Sequence, residues 1–341
     1  MTVGHVLWPD QLDADELARL RPGLPADLDR EPDVLVVGGG IIGCATAAAC
    51  IQARLGSVVL VERDVLGAGA SGGAAGLLVP ESHLGVDPPE FVAAMRRGLD
   101  AWRAMESTWA GGVGLLPYDW QGQPQARVNP LRAIVRLASG VPCVATGVNV
   151  SGMTCTAGQV ATVSTSAGEF RPRQVVFATG LPPGLAGLDL NLPASEVKGH
   201  MLCTAPTRLR LPAAVREADI ARVIDDGRVL MGGTLDVGDA QRVVRPEVTE
   251  RMWRELISAW SALESVSVEY RWACFRPAHP DHLPVIDRLP GLSNAWLSTG
   301  QYKTGILMAV ETGQALAEWL QTGTAPPEVK PFALSRDTLR G

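Results

Sequence analysis

A glycine-rich turn between a short apolar run and a helix is the feature that most restricts how this chain can fold. Gly38, Gly40 and Gly43 fit the pattern G-x-G-x-x-G and directly follow the run DVLVV. Such a short apolar run is typical of a strand buried on both faces, as in a parallel sheet. The residues at 41–55 then predict a closely packed helix, and VVLV at 58–61 predicts the next strand. This segment is therefore a βαβ unit, for which we expect a right-handed crossover.

The residue types in this unit suit a dinucleotide. Gly38 permits the tight turn, Gly40 lets the backbone approach a pyrophosphate, and Gly43 allows close packing of helix on strand. The free N–H groups and the dipole at the start of the helix favour phosphate. The second strand ends in Glu62, nineteen residues after Gly43, where a carboxylate can bind ribose hydroxyls and repels a 2′-phosphate. The unit argues against NADP, but its physics alone does not separate FAD from NAD.

The composition limits the partners that this chain can have. It has 341 residues, of which 46% are hydrophobic, enough for one large domain or two closely associated ones. The net charge is −6 and no long basic run occurs, so binding to nucleic acid has no electrostatic support. No apolar stretch of about 18 residues is present, so we expect no membrane span and no membrane partner. The N-terminal residues also lack the pattern of a signal peptide.

The six cysteines indicate neither a metal site nor a disulfide framework. None forms a C-x-x-C pair, so we expect no metal. Cys44 and Cys50 lie in the Ala-rich predicted helix, where a thiol packs as a small apolar side chain. A reducing compartment is the default for such a chain, and we expect it in the cytoplasm.

Beyond the first unit, helical and strand-like segments alternate. We expect helices at 91–106, 129–139 and 248–260, and a last one that begins at Thr304 or Gly305. We expect strands within 143–170 and at 173–180, and the pattern at 196–239 is strand-like.

The two ends of the chain are expected to contribute little to the fold. Residues 1–30 are interpreted as a surface appendage, with a short helix at 14–20 that Asp13 and Glu16 cap reciprocally. The tail at 326–341 contains proline and is expected to be extended.

Five segments, in this order, resemble the D-amino-acid oxidase family of flavoproteins, which includes glycine oxidase and sarcosine oxidase. They are VLVVGGGIIGCATA, VLVERD, GAGASGGAAGLL, VVFATG and LSTGQYKTGILMA, and they span about residues 33–322. The glycine-oxidase-like members are the most similar. The resemblance implies FAD as the cofactor and an α/β (α+β) fold, in which a Rossmann-like FAD-binding domain carries a smaller antiparallel-sheet substrate domain. The implied bounds are 31–82, 128–190 and 288–325 for the FAD-binding domain, and 83–127 and 191–287 for the substrate domain.

The resemblance also implies which residues hold FAD. Small residues in the loop at 72–76 suit a flat ring, because backbone N–H groups can then approach its edge. A helix that begins near Gly305 can stabilise negative charge on the reduced ring. The implied cofactor-binding residues are Gly38, Gly40, Ile41, Ile42, Gly43, Glu62, Arg63, Ser71, Gly76, Leu77, Val148, Thr179, Gly180, Gly300, Tyr302, Lys303, Thr304, Gly305 and Ile306.

Two basic residues are the expected catalytic residues. In glycine-oxidase-like proteins an arginine in the segment WACFRPAHPDHLPVID binds the substrate carboxylate, which implies that role for Arg276. A guanidinium pairs bidentately with a planar carboxylate and keeps its charge when buried. Lys303 stands where relatives often carry a basic residue near the flavin, and could bind carboxylate, favour the anionic reduced flavin or be a solvated lysine. The family attaches flavin to a cysteine two residues before this arginine in some members; for Cys274 we favour a packed thiol, because the basic helpers of those members are absent.

The expected reaction is the oxidation of a C–N bond in an amino acid or related amine, which gives an imine, with dioxygen as the final acceptor and hydrogen peroxide as product. This chemistry needs no strong base, and we expect His83, His279 and His282 to be turn or surface residues. Two departures from the family leave alternatives open: a substrate-domain tyrosine has no match, and the position of an oxygen-activating lysine corresponds to about Leu230. The alternatives are a dehydrogenase with another electron acceptor and a non-catalytic flavin-binding protein. Substrate identity and self-association to a homo-oligomer also stay open.

Overall fold

A computed structural model describes residues 2–217, 221–224 and 226–340. In chain order the strands are β1 Val3–His5, β2 Val34–Val37, β3 Val58–Glu62, β4 Leu77–Leu78, β5 Leu116–Trp120, β6 Gln123–Arg127, β7 Cys143–Thr146, β8 Val150–Thr156, β9 Gln159–Thr165, β10 Gly168–Phe170, β11 Gln174–Gly180, β12 Ser195–Thr204, β13 Ala221–Val223, β14 Val229–Gly232, β15 Asp236–Val237, β16 Val268–Ala278, β17 Val285–Arg288 and β18 Ala295–Thr299. The α-helices are α1 Ala14–Arg19, α2 Ile41–Gln52, α3 Pro89–Thr108, α4 Pro130–Ala138, α5 Ala213–Glu217, α6 Pro246–Ala259 and α7 Gly305–Thr322. The predicted helices are present within a few residues of their expected bounds.

The first sheet is built around the predicted βαβ unit, in the order β17-β18-β11-β2-β3-β7. All of its pairs are parallel except β17 with β18. Alternate residues of each strand point to opposite faces, so Val34 and Val36 join the core under the helices. Leu35 and Val37 join a second core under the three-stranded sheet β10-β9-β8. Both faces are therefore covered, as the apolar runs predicted.

Small residues bring the helices of this layer close together. A Cβ added at Gly313 of α7 would lie 2.7 Å from the backbone carbon and oxygen of Ala45 in α2. The Ala-rich composition of α2 thus has a packing reason: α7 lies almost backbone to backbone against it. This contact fixes the start of α7 relative to the start of α2, and both helix starts belong to the site described below.

The second large sheet is antiparallel, as expected for the smaller domain. Its order is β1-β16-β12-β14-β13, with β15 also paired to β12. Helix α6 covers one face with a separate apolar cluster that includes Met252 and Leu256. Alternation along β16 places Trp272, Cys274 and Arg276 in one row, and this row faces the glycine-rich loop after β3, since the indole N–H of Trp272 donates to the carbonyl of Gly73 at 2.9 Å.

One expected domain bound falls inside a strand. β17 is hydrogen-bonded to β18, from Val285 opposite Thr299 to Arg288 opposite Trp296, so a boundary between residues 287 and 288 would cut it. A short antiparallel strand at the edge of a parallel sheet leaves no mark in the composition. We propose that the last FAD-binding segment begins near residue 284.

The prediction that residues 1–30 form a surface appendage is wrong. β1 is an edge strand of the antiparallel sheet, with Val3 opposite Ala273, and the buried Trp8 donates its indole N–H to the carbonyl of Ala74 at 2.8 Å. The predicted helix is confirmed as α1, with the reciprocal cap of Asp13 and Glu16. Glu16 also pairs with Arg132 of α4 at 2.9 Å. The segment therefore joins the two large sheets. Its few apolar residues contact segments that are distant in sequence, so no local pattern marks them as buried.

The expected extended tail is also wrong. Residues Pro327–Phe332 and Asp337–Arg340 form short 3₁₀ turns. Phe332 is buried with its ring edge against Phe91 of α3, and Arg336 forms an ion pair with Asp281 at 2.7 Å. One buried phenylalanine and one largely buried ion pair therefore hold a segment that its prolines suggested would be extended.

Candidate active site

The turn after β2 has the geometry that a pyrophosphate needs. Gly38 has φ +115°, and a Cβ at Gly43 would lie 1.8 Å from the carbonyl oxygen of Gly38, so neither position accepts a side chain without strain. The hydroxyl of Ser71 accepts a hydrogen bond from the N–H of Ile41 at 3.1 Å. The N–H groups of Ile42 and Gly43 also lie in the first turn of α2, where no intrahelical acceptor exists. These donors form a cradle for an anion at the helix start.

Glu62 is fixed beside this cradle. Its carboxylate accepts hydrogen bonds from the N–H of Gly39 at 2.7 Å and of Asp64 at 2.9 Å. The N–H of Val148 donates to the Glu62 carbonyl at 2.8 Å, so Val148, between β7 and β8, lies beside Glu62. Arg63 is exposed at the same edge. A carboxylate held in this way suits the two hydroxyls of a ribose.

The predicted cofactor residues at 300–306 begin against the end of β11. Gly300 donates its N–H to the carbonyl of Gly180 at 2.8 Å and has φ +69°. Thr179 lies at the end of β11 beside this contact and donates its hydroxyl to Leu181 at 2.6 Å. Tyr302 has φ +45°, and its N–H donates to the carbonyl of Pro277 at 2.7 Å. The turn thus ties the start of α7 to the end of β16.

These residues fit FAD. A tight cradle of N–H donors lies at the start of α2, and the fixed carboxylate of Glu62 lies at the end of β3. The start of α7 lies across the loop of small residues at 72–76. Among the described residues no group of His, Cys, Asp and Glu could hold a metal ion, and no described helix is long and apolar enough to cross a membrane.

A cavity of about 200 Å³ lies between this loop and the antiparallel sheet. It brings together the two predicted catalytic residues, Arg276 and Lys303, with the predicted cofactor residues Gly76, Leu77, Tyr302 and Ile306. None of its described lining residues is acidic. The remaining lining residues are Ala70, Ala74, Ala75, Val79, Ser82, His83, Trp120, Met201, Arg222, Gly233, Cys274 and Leu307. The cavity therefore favours an anionic group.

Two glycines make room for the guanidinium of Arg276. A Cβ at Gly199 would lie 2.2 Å from its Nη1, and one at Gly233 would lie 2.5 Å from its Nη2. Nη1 donates to the carbonyl of Thr234 at 3.0 Å. Among the described residues, no carboxylate forms an ion pair with Arg276 within 4.0 Å. Its charge is held by packing and by one carbonyl, which leaves donors for a ligand.

A buried histidine supports the carbonyl that Arg276 binds. His200 is fully buried, its Nδ1 lies 2.8 Å from Asp236, and its Nε2 accepts the N–H of Arg245 at 3.1 Å. An Nε2 that accepts must be unprotonated, so this ring is neutral with its proton on Nδ1. The hydroxyl of Thr234 bonds the same carboxylate at 2.6 Å. Burial lowers the pKa of His200, against the opposing effect of Asp236.

The charges of Lys303 and Arg276 repel each other. Burial, and then the charge of Arg276, lower the pKa of the Lys303 ammonium, while Asp87 acts in the opposite direction. Two cations on one cavity wall are costly unless an anion joins them. The pair is consistent with the expected carboxylate site.

Cys274 packs against the loop of small residues. Its Cβ is 2.5 Å from where a Cβ of Gly73 would stand, and its side chain is buried. Burial raises the pKa of the thiol, and this outweighs the charge of Arg276. A buried neutral thiol is a poor nucleophile.

We therefore expect FAD to be bound without a covalent link. After acid precipitation of the purified protein, the pellet should be colourless and the supernatant yellow. A yellow pellet that becomes colourless in the Cys274→Ala variant would contradict this prediction and make Cys274 the point of attachment.

Four buried or cavity-lining side chains at or near the site were not found in the sequence. Arg222 lies on β13 and is buried at the cavity, and Trp120 reaches it from the β5–β6 hairpin. The interpretation of His279 as a turn or surface residue is wrong: it is buried, and its ring nitrogens bond Pro193 at 2.8 Å and Thr299 at 3.2 Å. His83 lies in a turn as expected, but lines the cavity. No local pattern marks these side chains, because distant strands bring them together.

The two buried histidines predict a loss of stability in acid. Burial is the first cause of the lowered pKa of both His200 and His279, whose ordinary pKa is 6.5. The unfolded chain therefore takes up these protons first, so stability present above pH 6.5 is lost as the pH falls through the folded-state values. The urea midpoint should fall between pH 7.5 and pH 5, and less so in His200→Gln. The exposed His5→Gln is the control. If the urea midpoint of His200→Gln fell with pH as steeply as that of the wild type, the prediction would be contradicted.

The matched family is described as FAD dependent oxidoreductase, and its model covers residues 33–123 and 107–319. The chain therefore belongs to this family of FAD-dependent oxidoreductases. FAD is its cofactor, which confirms the expectation from the five segments, and the expected fold class is confirmed as well.

Individual relatives agree with this assignment. The glycine oxidase of Pseudomonas putida is 26% identical over 350 residues, which cover 86% of this chain and 95% of that protein. A second match, to the glycine oxidase of Pseudomonas aeruginosa, is 32% identical but spans only 49% of this chain and 47% of that protein. Among solved structures, glycine oxidase from Geobacillus kaustophilus has a TM-score of 0.75 at 20% identity, with 90% of this chain and 99% of that chain covered. L-proline dehydrogenase from P. horikoshii has a TM-score of 0.74 at 17% identity, with 90% and 97% covered. The structural likenesses establish the fold.

Proposed function

We propose that the protein oxidises a C–N bond of an amino acid, or of a related amine that carries a carboxylate. The observation that carries the proposal is the cavity in which Arg276 and Lys303 lie beside the loop of small residues, with no acidic side chain among its described lining residues. The amino-acid-oxidising relatives support the reaction class.

Arg276 and Lys303 bind and orient the substrate carboxylate. The guanidinium offers a planar fork to two carboxylate oxygens, and the two glycines beside it fix where that fork stands. The ammonium of Lys303 adds a second charge from the start of α7. Because its carboxylate is held, the substrate can point its α C–H bond in only a restricted range of directions. Orienting this bond is the main contribution of the protein to such a reaction. Bound FAD supplies the hydride acceptor, and the oxidised substrate leaves as an imine that water hydrolyses.

We propose dioxygen as the final electron acceptor, with hydrogen peroxide as product. One observation favours another acceptor, and hence a dehydrogenase: Leu230, a buried residue of β14, stands at about the position where the resemblance implies an oxygen-activating lysine. The cytoplasm is the location that we propose, which fits the six free cysteines.

A panel of paired amines tests the proposal. The purified yellow protein is mixed without oxygen with glycine, sarcosine and D- and L-amino acids, each matched by the amine that lacks its carboxylate. We expect at least one amino acid to bleach the flavin and its matched amine to do so far more slowly. Bleaching by none of them would favour a non-catalytic flavin-binding protein. Readmitted air then separates the acceptors, since stoichiometric peroxide indicates an oxidase and little peroxide indicates a dehydrogenase.

A further inference from the structure

A histidine and an aspartate form a close pair at the cavity wall. Nδ1 of His83 lies 2.6 Å from Oδ2 of Asp87, and their side chains are 17% and 21% exposed. His83 lines the same cavity as Arg276 and Lys303. Within one turn of chain, the N–H groups of Val86 and Asp87 both donate to the carbonyl of His83 at 3.1 Å. The pair is therefore held by its own backbone.

The turn that carries His83 is fixed to the helix behind it. It follows β4 as the 3₁₀ turn Pro80–His83. Glu81 in this turn accepts two hydrogen bonds from Arg96 of α3, at 2.9 and 2.8 Å. The hydroxyl of Ser82 donates to the carbonyl of Val79 at 2.8 Å. A side chain anchored in this way can act at a defined point of the cavity.

The pairing determines which ring nitrogen can act as a base. A carboxylate on Nδ1 keeps the proton of the neutral ring there, so the lone pair is on Nε2. The carboxylate also stabilises the imidazolium that forms if Nε2 takes up a proton. This combination is the usual arrangement of a histidine that serves as a general base.

The hydride transfer itself needs no strong base, but the proposed substrate must first lose a proton from its nitrogen. An amino acid at neutral pH is an ammonium, and a hydride leaves the α-carbon readily only when the nitrogen is neutral and can donate its lone pair. We propose that His83 is a catalytic residue that accepts the proton of the substrate ammonium, with Asp87 as its positioning residue; this rests on the proposed function. The N–H bond of the ammonium breaks, a bond from Nε2 to that proton forms, and the substrate nitrogen keeps the electron pair. The imidazolium later releases the proton to water.

The charges around the cavity agree with this assignment. Arg222, Arg276 and Lys303 are the arginine and lysine residues of the cavity lining and attract the substrate carboxylate, while Asp87 acts in the opposite direction by favouring the charged form of Lys303. Asp87 is the carboxylate that faces His83 from its own turn, and the Glu81–Arg96 pair lies on the turn and on α3. Lys303 is the rival base, because burial and Arg276 lower the pKa of its ammonium.

The rate of flavin reduction as a function of pH tests the proposal. A substrate found with the paired panel is mixed without oxygen with the FAD-loaded wild type and with His83→Gln, between pH 6 and pH 10. We expect His83→Gln to be about 100-fold slower at pH 7. The loss should shrink as the pH rises, because a substrate that is already deprotonated needs no base. Asp87→Asn should show a smaller loss with the same dependence on pH.

A matched control and three outcomes make the test decisive. His5→Gln removes another histidine near an aspartate, Asp10 at 3.5 Å, on the exposed edge strand β1, and should follow the wild-type profile. Wild-type rates in His83→Gln at pH 7, or a loss that is equal at every pH, would overturn the proposal, the second because it indicates a structural role. If His83→Gln fails to retain FAD, then Asp87→Asn decides in the same way. Failure of the proposed function is distinct, since the wild-type flavin itself would not be bleached.

Discussion

Replacing Trp8 with Ala should lower the free energy of unfolding by about 3–5 kcal/mol, the usual cost of emptying a buried tryptophan site. The side chain is 3% exposed, its ring edge lies against Trp272, and its indole N–H bonds the carbonyl of Ala74. The variant therefore loses both apolar burial and a donor for a carbonyl in the loop of small residues. Denaturant unfolding measures the change, with the backbone circular dichroism as the signal because it does not depend on tryptophan fluorescence.

Two further variants separate the causes. Trp8→Phe keeps an aromatic ring but removes the N–H, and should cost less, with about 1 kcal/mol for the hydrogen bond and a further part for the smaller ring. Trp253→Ala, at a half-buried position of α6, should be less destabilising than Trp8→Ala. If Trp8→Ala instead changed stability by less than about 0.5 kcal/mol, the usual range for surface sites, the N-terminal segment would be an appendage after all.

Replacing Arg276 with Ala should weaken the binding of a carboxylate substrate roughly 10- to 150-fold and leave FAD bound. A charge-assisted hydrogen bond of this kind contributes on the order of 1.5–3 kcal/mol. Arg276→Lys should recover only part of the loss, because an ammonium cannot reproduce the planar fork. Titration of the flavin spectrum with substrate, or with a non-oxidised carboxylate, measures the affinity.

The structure supplies a control that leaves Arg276 in place. Gly233→Ala would put a Cβ 2.5 Å from Nη2, so the guanidinium must move. We expect this variant to lose affinity in the same direction as Arg276→Ala. If both variants reduce their flavin normally with the true substrate, then either that substrate has no carboxylate or Arg276 is structural.

The dinucleotide-binding unit could be predicted from the sequence because its signals are local. The turn from Gly38 to Gly43 needs glycine for reasons that involve only a few neighbouring residues. Glu62 follows from the length of one helix and one strand. The helices α3 and α4 were also predictable, since α3 carries an apolar stripe and α4 begins with an asparagine cap and a proline.

The substrate side was predictable only through resemblance. Arg276 was expected to bind a carboxylate, yet the space for its guanidinium comes from Gly199 on β12 and from Gly233, the residue after β14. The support of Thr234 by the buried His200 depends on the pairing of β12 with β14 and β15. Strand pairing over tens of residues is set by the whole sheet, so no window of sequence reveals it.

What the sequence by itself determined is therefore the cofactor half of the protein: the βαβ unit, the start of α7 and the identity of FAD through five ordered segments. Only the tertiary structure decided that Trp8 is core, that Phe332 packs on Phe91 and that His83 reaches the cavity. The physical reason is the range of the interactions. A phosphate-binding turn is fixed by backbone conformation within a few residues, whereas burial and cavity lining depend on which distant segments meet.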